Sequence, residues 1–82
     1  MSSLERKPNF FKKIHKIKDV SVNELVKNQI KKILENPEIG KPMKYVRKGT
    51  RELYIGSFIL PYAYLEDEDK IIFLDLYHKD EQ

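Results

Sequence analysis

Eighty-two residues, 40% of them hydrophobic and none of them cysteine, suffice for one small core, so a single domain over residues 1–82 is expected. The lack of cysteine excludes a disulfide scaffold, a thiolate zinc site and a cysteine nucleophile, and the length excludes Rossmann-type cofactor folds. The formal charge of +3 is split: residues 1–53 hold 14 Lys/Arg against 6 Asp/Glu, and residues 54–82 hold 2 against 7, so a basic half faces an acidic one.

Met1 to Arg6 reads as a frayed terminus or a brief edge strand. Pro8 can open a helix, because its missing N–H is of no consequence in a first turn. Phe10, Phe11, Ile14 and Ile17 then recur at helical spacing, with Lys12, Lys13 and Lys16 turned away and His15 on the polar side, a surface histidine. Ser21 with Glu24 three positions on is a capping box that starts a second helix. Val22, Leu25, Val26, Ile30, Ile33 and Leu34 form its apolar stripe. The short connection predicts an antiparallel helical hairpin. Asn36-Pro37 ends it, because the residue before proline is pushed out of the α region.

After the turn Pro37 to Pro42 the apolar period changes to two. Strand segments are expected at Met43 to Arg47 and Arg51 to Ile55, around a loop at Lys48 to Thr50. Gly56-Ser57 is a hairpin turn, Phe58 to Leu65 the next strand, Glu66 to Asp69 an acidic turn, and Lys70 to Tyr77 the last strand. Pro61 removes a ladder donor, so an edge or a bulge is expected there. The fold class is therefore α+β: an N-terminal antiparallel helical hairpin packed on a small antiparallel β-sheet of about three strands.

No G-x-G-x-x-G, P-loop, H-E-x-x-H or G-x-S-x-G occurs. The two histidines are too few for a His-based metal site without carboxylates, and the acidic turn lacks the ligand spacing of a calcium loop. No metal or cofactor is expected. No apolar run approaches the ~18 residues that cross a bilayer, and a cytoplasmic, membrane-free module is expected. In the last strand Ile72, Leu74 and Leu76 share one face, expected to take the helices; Ile71, Phe73, Asp75 and Tyr77 share the other. That second face, with His78 nearby and Arg47, Lys48 and Arg51 joining it, suits RNA: bases stack on rings while cations hold phosphates. It could equally be a small second core, with Asp75 paired to a basic residue across strands.

Phe10-Phe11-Lys12-Lys13-Ile14 through Ile33-Leu34-Glu35-Asn36-Pro37-Glu38-Ile39-Gly40-Lys41-Pro42-Met43 resembles the RelE/ParE toxin superfamily, in which a helical hairpin runs into an N-P-x-x-G-K-P-L-like turn. Arg51-Glu52-Leu53-Tyr54-Ile55-Gly56-Ser57-Phe58 resembles its E-L-R-x-G-x-[YF]-R hairpin. Tyr62 to Tyr64, the acidic turn and Ile71 to Lys79 resemble Y-x-[VI], D-D-x and a closing strand ending H-[KR].

The resemblance implies the toxin of a type II toxin–antitoxin module, expressed with a cognate antitoxin that wraps it. RelE-like members cleave mRNA in the ribosome without a metal, by acid–base chemistry at the ribose 2′-OH; ParE-like members inhibit DNA gyrase. The first is the expected function, with mRNA and ribosome as partners. The second, or a degenerate toxin fold kept for binding, is the alternative. On this resemblance His78 is the general acid or base, Arg47, Lys48 and Arg51 contact phosphate and stabilise charge, and Glu52 is structural or a base. Lys41, Lys44, Lys48, Lys79 and Tyr77 are the RNA-binding candidates. Ile39, Met43, Ile59 and Leu65 are expected antitoxin contacts. Tyr54 and Ile59 stand where the family pattern has arginine, Asp75 puts negative charge on a strand that often carries arginine, and the chain ends before a C-terminal tyrosine some members use.

Overall fold

The computed structural model describes residues 3–44 and 48–81. Strand β1 (Ser3–Arg6) leads into helix α1 (Phe10–His15), and helix α2 (Val20–Glu35) follows. Strands β2 (Lys41–Pro42), β3 (Thr50–Ile55), β4 (Phe58–Leu65), β5 (Lys70–Phe73) and β6 (Tyr77–His78) complete the chain, with 3₁₀ turns at Pro37–Ile39, Glu66–Glu68 and Lys79–Glu81.

Helix α2 starts two residues before the expected capping box. Asp19, not Ser21, is its N-cap, with a side chain accepting from the Val22 N–H at 3.2 Å. The Asn23 side chain donates to the Ile14 carbonyl at 3.0 Å and locks the hairpin corner. Asn36 closes α2 as expected, and its side chain accepts the Glu38 N–H that opens the next turn.

Among the described residues the sheet runs β1-β5-β4-β3-β2, with β6 pairing β4 beyond the end of β5. All pairings are antiparallel except the first: β1 lies parallel to β5, with Leu4 opposite Ile71, so the N-terminal segment is an edge strand. The Lys7 N–H extends this ladder to the Phe73 carbonyl at 3.0 Å. Parallel pairing needs a long crossover, and here the whole helical hairpin and meander supply it.

The hairpin β3–β4 turns at Gly56, whose φ of +58° a side chain would disfavour. The expected strand at Met43 to Arg47 is shorter and earlier: β2 occupies Lys41–Pro42, Met43 adds one bond to Thr50, and residues 45–47 lie outside the described residues. Pro61 is not at an edge, and the expected bulge falls opposite it: between the pairs Tyr62–Phe73 and Ile59–Tyr77, residues 60–61 face three residues, 74–76. Pro61 itself is in central β4, at the gap where β4 pairs residues 70–73 on one side of it and 77–78 on the other, so its missing donor falls where no strand needs it.

The helices cover one sheet face. Phe10, Ile14, Val26, Ile33, Ile55, Leu60, Tyr62, Ile71, Phe73 and Leu76 form the core there, each large side chain contributing about 1.5–3 kcal/mol by burial. Phe10 stacks on Phe73 with ring centres 5.0 Å apart. This reverses the expected facing of residues 71–73, where Ile71 and Phe73 point to the helices and Ile72 points away, whereas Leu76 joins the helix-side core as expected. The expected continuous strand breaks at residues 74–76, where Asp75 turns to the helical side and pairs with Lys13 of α1 while accepting the Leu76 N–H. Fixing Asp75 to the hairpin ends β5 and lets the chain re-enter the sheet as β6.

Tyr62 is fully buried beneath the Pro37–Ile39 turn. Its hydroxyl donates to the Pro37 carbonyl at 2.7 Å and accepts the Gly40 N–H at 2.8 Å. A Cβ on Gly40 would lie 2.5 Å from that oxygen, so glycine is required there by close approach. Burial raises the Tyr62 phenol above its ordinary pKa and keeps it a donor. No helix among the described residues is long and apolar enough to cross a membrane.

Candidate functional site

Side-chain alternation along β3 and β4 sorts the candidate residues onto two faces. Phe58, Leu60 and Tyr62 point to the helices, so Ile59, Pro61 and Ala63 point away. Register carries this across the sheet: Tyr54, Ile59 and Tyr77 form one row, and Lys41, Glu52 and Pro61 the next.

On this uncovered face the Tyr54 ring is 56% exposed, and its hydroxyl donates to Glu52 Oε1 at 3.2 Å. That hydrogen bond, and then the carboxylate's charge, raise the phenol above its ordinary pKa, so it stays protonated. Lys79 lies in the 3₁₀ turn after β6, held by its N–H bond to the Ser57 carbonyl at 2.8 Å, and its ammonium reaches to 5.6 Å from the Tyr54 ring centre. Ile59, only 2% exposed, lies outside the helix-side core and forms the apolar floor between the two tyrosines. It is therefore not available as the surface antitoxin contact expected of it. Met43 and Leu65 are half-buried, and Ile39 is exposed.

Four candidates thus share the uncovered face: Glu52, Tyr77, Lys79 and Lys41. The others do not join them. Arg51, opposite Tyr62, lies on the helix-side margin, where one guanidinium nitrogen donates to the carbonyls of Glu38 at 3.0 Å and Gly40 at 2.7 Å. His78 pairs with Phe58 and meets its ring edge-on, centres 5.3 Å apart, so it too lies on the helical side. Its Nδ1 is 3.2 Å from the Asp80 N–H and 3.4 Å from the Asp80 carboxylate. A neutral Nδ1 accepts the first; a protonated one donates to the second. Asp75, expected beside Tyr77, is on the helical side with Lys13.

Lys44 is exposed in the turn after β2, and Lys48 lines a groove of about 450 Å³ with Glu38, Arg51, Tyr64 and Glu66. Neither belongs to the Tyr54 cluster, and Arg47 lies outside the described residues. Among the described residues no group of three or more His, Asp or Glu is arranged to hold a metal ion.

Tyr54 is the site residue that sequence reasoning missed. It stands where the family pattern has arginine, and its alternation with Glu52 along the strand puts both on one face.

A family model for the ParE toxin of type II toxin–antitoxin systems matches residues 4–82. The chain resembles the toxin in the crystal structure of the intact E. coli RelBE toxin–antitoxin complex: TM-score 0.77, 16% identity, 95% of this chain and 96% of that one. It also resembles a chain of the Mycobacterium tuberculosis RelBE2 complex, with TM-score 0.71, 19% identity and coverage of 94% and 96%. A metal-bound toxin from Helicobacter pylori superposes with TM-score 0.74, 20% identity and coverage of 99% and 98%. No curated protein sequence matches. Helical hairpin, closing turn and sheet agree with the RelE fold along nearly the whole chain, and the family match is equally continuous: this chain is a toxin of the RelE/ParE superfamily, belonging to the ParE toxin family of type II toxin–antitoxin systems.

Proposed function

We propose that this toxin acts on mRNA at the ribosome through its uncovered sheet face, as a metal-free endoribonuclease restrained by a cognate antitoxin. The observation that carries this reading is the gathering of Glu52, Tyr54, Tyr77 and Lys79 on one face that no helix covers. Exposed rings take bases by stacking, and ammonium groups take phosphates. Glu52 removes the ribose 2′-OH proton, the 2′-oxygen attacks the adjacent phosphorus, and the bond to the 5′-oxygen breaks to leave a cyclic phosphate. Lys41 and Lys79 neutralise the charge that builds on the phosphate, and the Lys79 ammonium supplies the proton of the leaving oxygen. Relatives captured as toxin–antitoxin complexes support the antitoxin as partner.

A second reading has its own support. Arg51 is engaged by two carbonyls and His78 lies on the opposite face, which favours a ParE-like inhibitor that binds DNA gyrase without cutting RNA. One comparison separates the two: the purified toxin is added to a translation extract and, separately, to a gyrase supercoiling assay. Cut transcripts at ribosome positions with normal supercoiling support the proposal. Intact transcripts with blocked supercoiling replace it by the second reading.

A further inference from the structure

Two lysines share the uncovered face with Glu52, and the carboxylate pairs with neither. Lys41 stands opposite it in the β2–β3 register, and Lys79 reaches Tyr54 on the same face, yet among the described residues no ion pair joins Glu52 to either. Its partner is instead a neutral group, the Tyr54 hydroxyl, which donates to Oε1 at 3.2 Å. The same ring meets the Lys79 ammonium, 5.6 Å from its centre. Tyr54 thus holds a carboxylate at its hydroxyl edge and a cation at its face. It is exposed, so burial does not account for a tyrosine at this position.

We propose that Tyr54 is a positioning residue that keeps Glu52 and Lys79 apart, its hydroxyl fixing one carboxylate oxygen and its ring holding the ammonium, so that the second oxygen and the cation both stay open to substrate. An opposite charge within about 4–6 Å favours the ionised form of both partners. A carboxylate paired to a lysine is therefore a weaker base and the ammonium a weaker acid, and each must leave the other before it meets substrate. A phenol orients a carboxylate without bringing a charge, and a ring face holds an ammonium without bringing an anion. The surroundings suit this role. Ile59, buried in the same row, gives the ring an apolar floor, and the Lys79 N–H is fixed separately on the Ser57 carbonyl at 2.8 Å, so only the lysine side chain needs guiding. The role of the two charged groups in RNA cleavage rests on the function proposed for this face; the separation of their charges does not.

The test compares, in the full chain, Tyr54→Phe, which keeps the ring and removes the hydroxyl, with Tyr54→Leu, which removes both. In protein carrying isotope-labelled lysine, the ring displaces the NMR signal of the Lys79 ε-methylene; Tyr54→Phe should keep that displacement and Tyr54→Leu should abolish it. Adding Glu52→Gln should leave the Lys79 signal in place in the wild type and move it in Tyr54→Leu, where the ammonium has gone over to the carboxylate. In a translation extract, Tyr54→Phe should lower the cleavage rate at saturating ribosomes about tenfold with KM within about twofold of wild type, and Tyr54→Leu should lower it about 10²-fold. Wild-type kinetics in Tyr54→Phe, or a change in KM alone, would make the ring a stacking surface only and overturn the proposal. A Lys79 signal in Tyr54→Leu that is indifferent to Glu52→Gln would overturn it too. A wild type that cuts no RNA sinks the proposed function alone, and the Lys79 signals then decide the separation of charges by themselves.

Discussion

Arg51 and Tyr54 exchange the roles their residue types suggest. A guanidinium is the usual partner for phosphate, but this one is spent on the carbonyls of Glu38 and Gly40, where it and the Tyr62 hydroxyl pin the turn that follows α2. Tyr54 contributes no charge, yet it orients Glu52 and carries Lys79 over its ring. Arg51→Ala should therefore lower stability by about 1–2 kcal/mol, measured by urea unfolding, because it removes charge-assisted bonds at a partly exposed site. If Arg51 were chiefly a phosphate ligand, the variant would keep wild-type stability. None of this was legible from residue type: whether an arginine meets RNA or backbone depends on which face alternation gives it, and the strand register sets that.

At the level of elements, α1, α2, the proline stop, the Gly56 turn and the full extent of β4 were legible, because each has a local cause: helical period, a fixed φ, a glycine turn. The facing of β5 was not. Period-two alternation separates Ile71 and Phe73 from Ile72 and Leu74 without saying which pair meets the helices; stacking of Phe10 on Phe73 decides it. The break before β6 was hidden for a related reason, since Asp75 finds its partner 62 residues earlier in the chain, on α1. Strand β1 is likewise recruited from far away, and its Glu5 pairs with Lys70 of β5 at 3.1 Å.

The hydrogen bond to Glu5, then the charges of Glu5 and Glu68, raise Lys70 above its ordinary pKa of 10.5. A raised lysine stabilises the fold fully below its unfolded pKa and loses that contribution as pH rises through the folded value. Thermal midpoints of wild type and Glu5→Gln should thus differ near pH 9 and converge towards about pH 12. A gap that persists or widens with pH would mean that β1 is not held by this pair.

For the molecule as a whole, the division of charge along the chain becomes a division in space. The helices lie in the lysine-rich half, while the sheet's far face carries a small mixed cluster of two tyrosines, a glutamate and Lys79. The arrangement also explains why the family's closing histidine need not act here: β6 gives Tyr77 to the uncovered face and His78 to the helical one, so the two cannot serve one site from adjacent positions.

Mapping of mRNA cuts in a translation extract, comparing wild type, Glu52→Gln and His78→Ala at equal concentration, tests this most directly. With Glu52 as base on the uncovered face, the Glu52→Gln rate should fall by about 10²-fold or more, while His78→Ala stays within about threefold of wild type. The reverse pattern, an active Glu52→Gln and a silent but folded His78→Ala, would contradict the account and move the chemistry to the other side of the sheet.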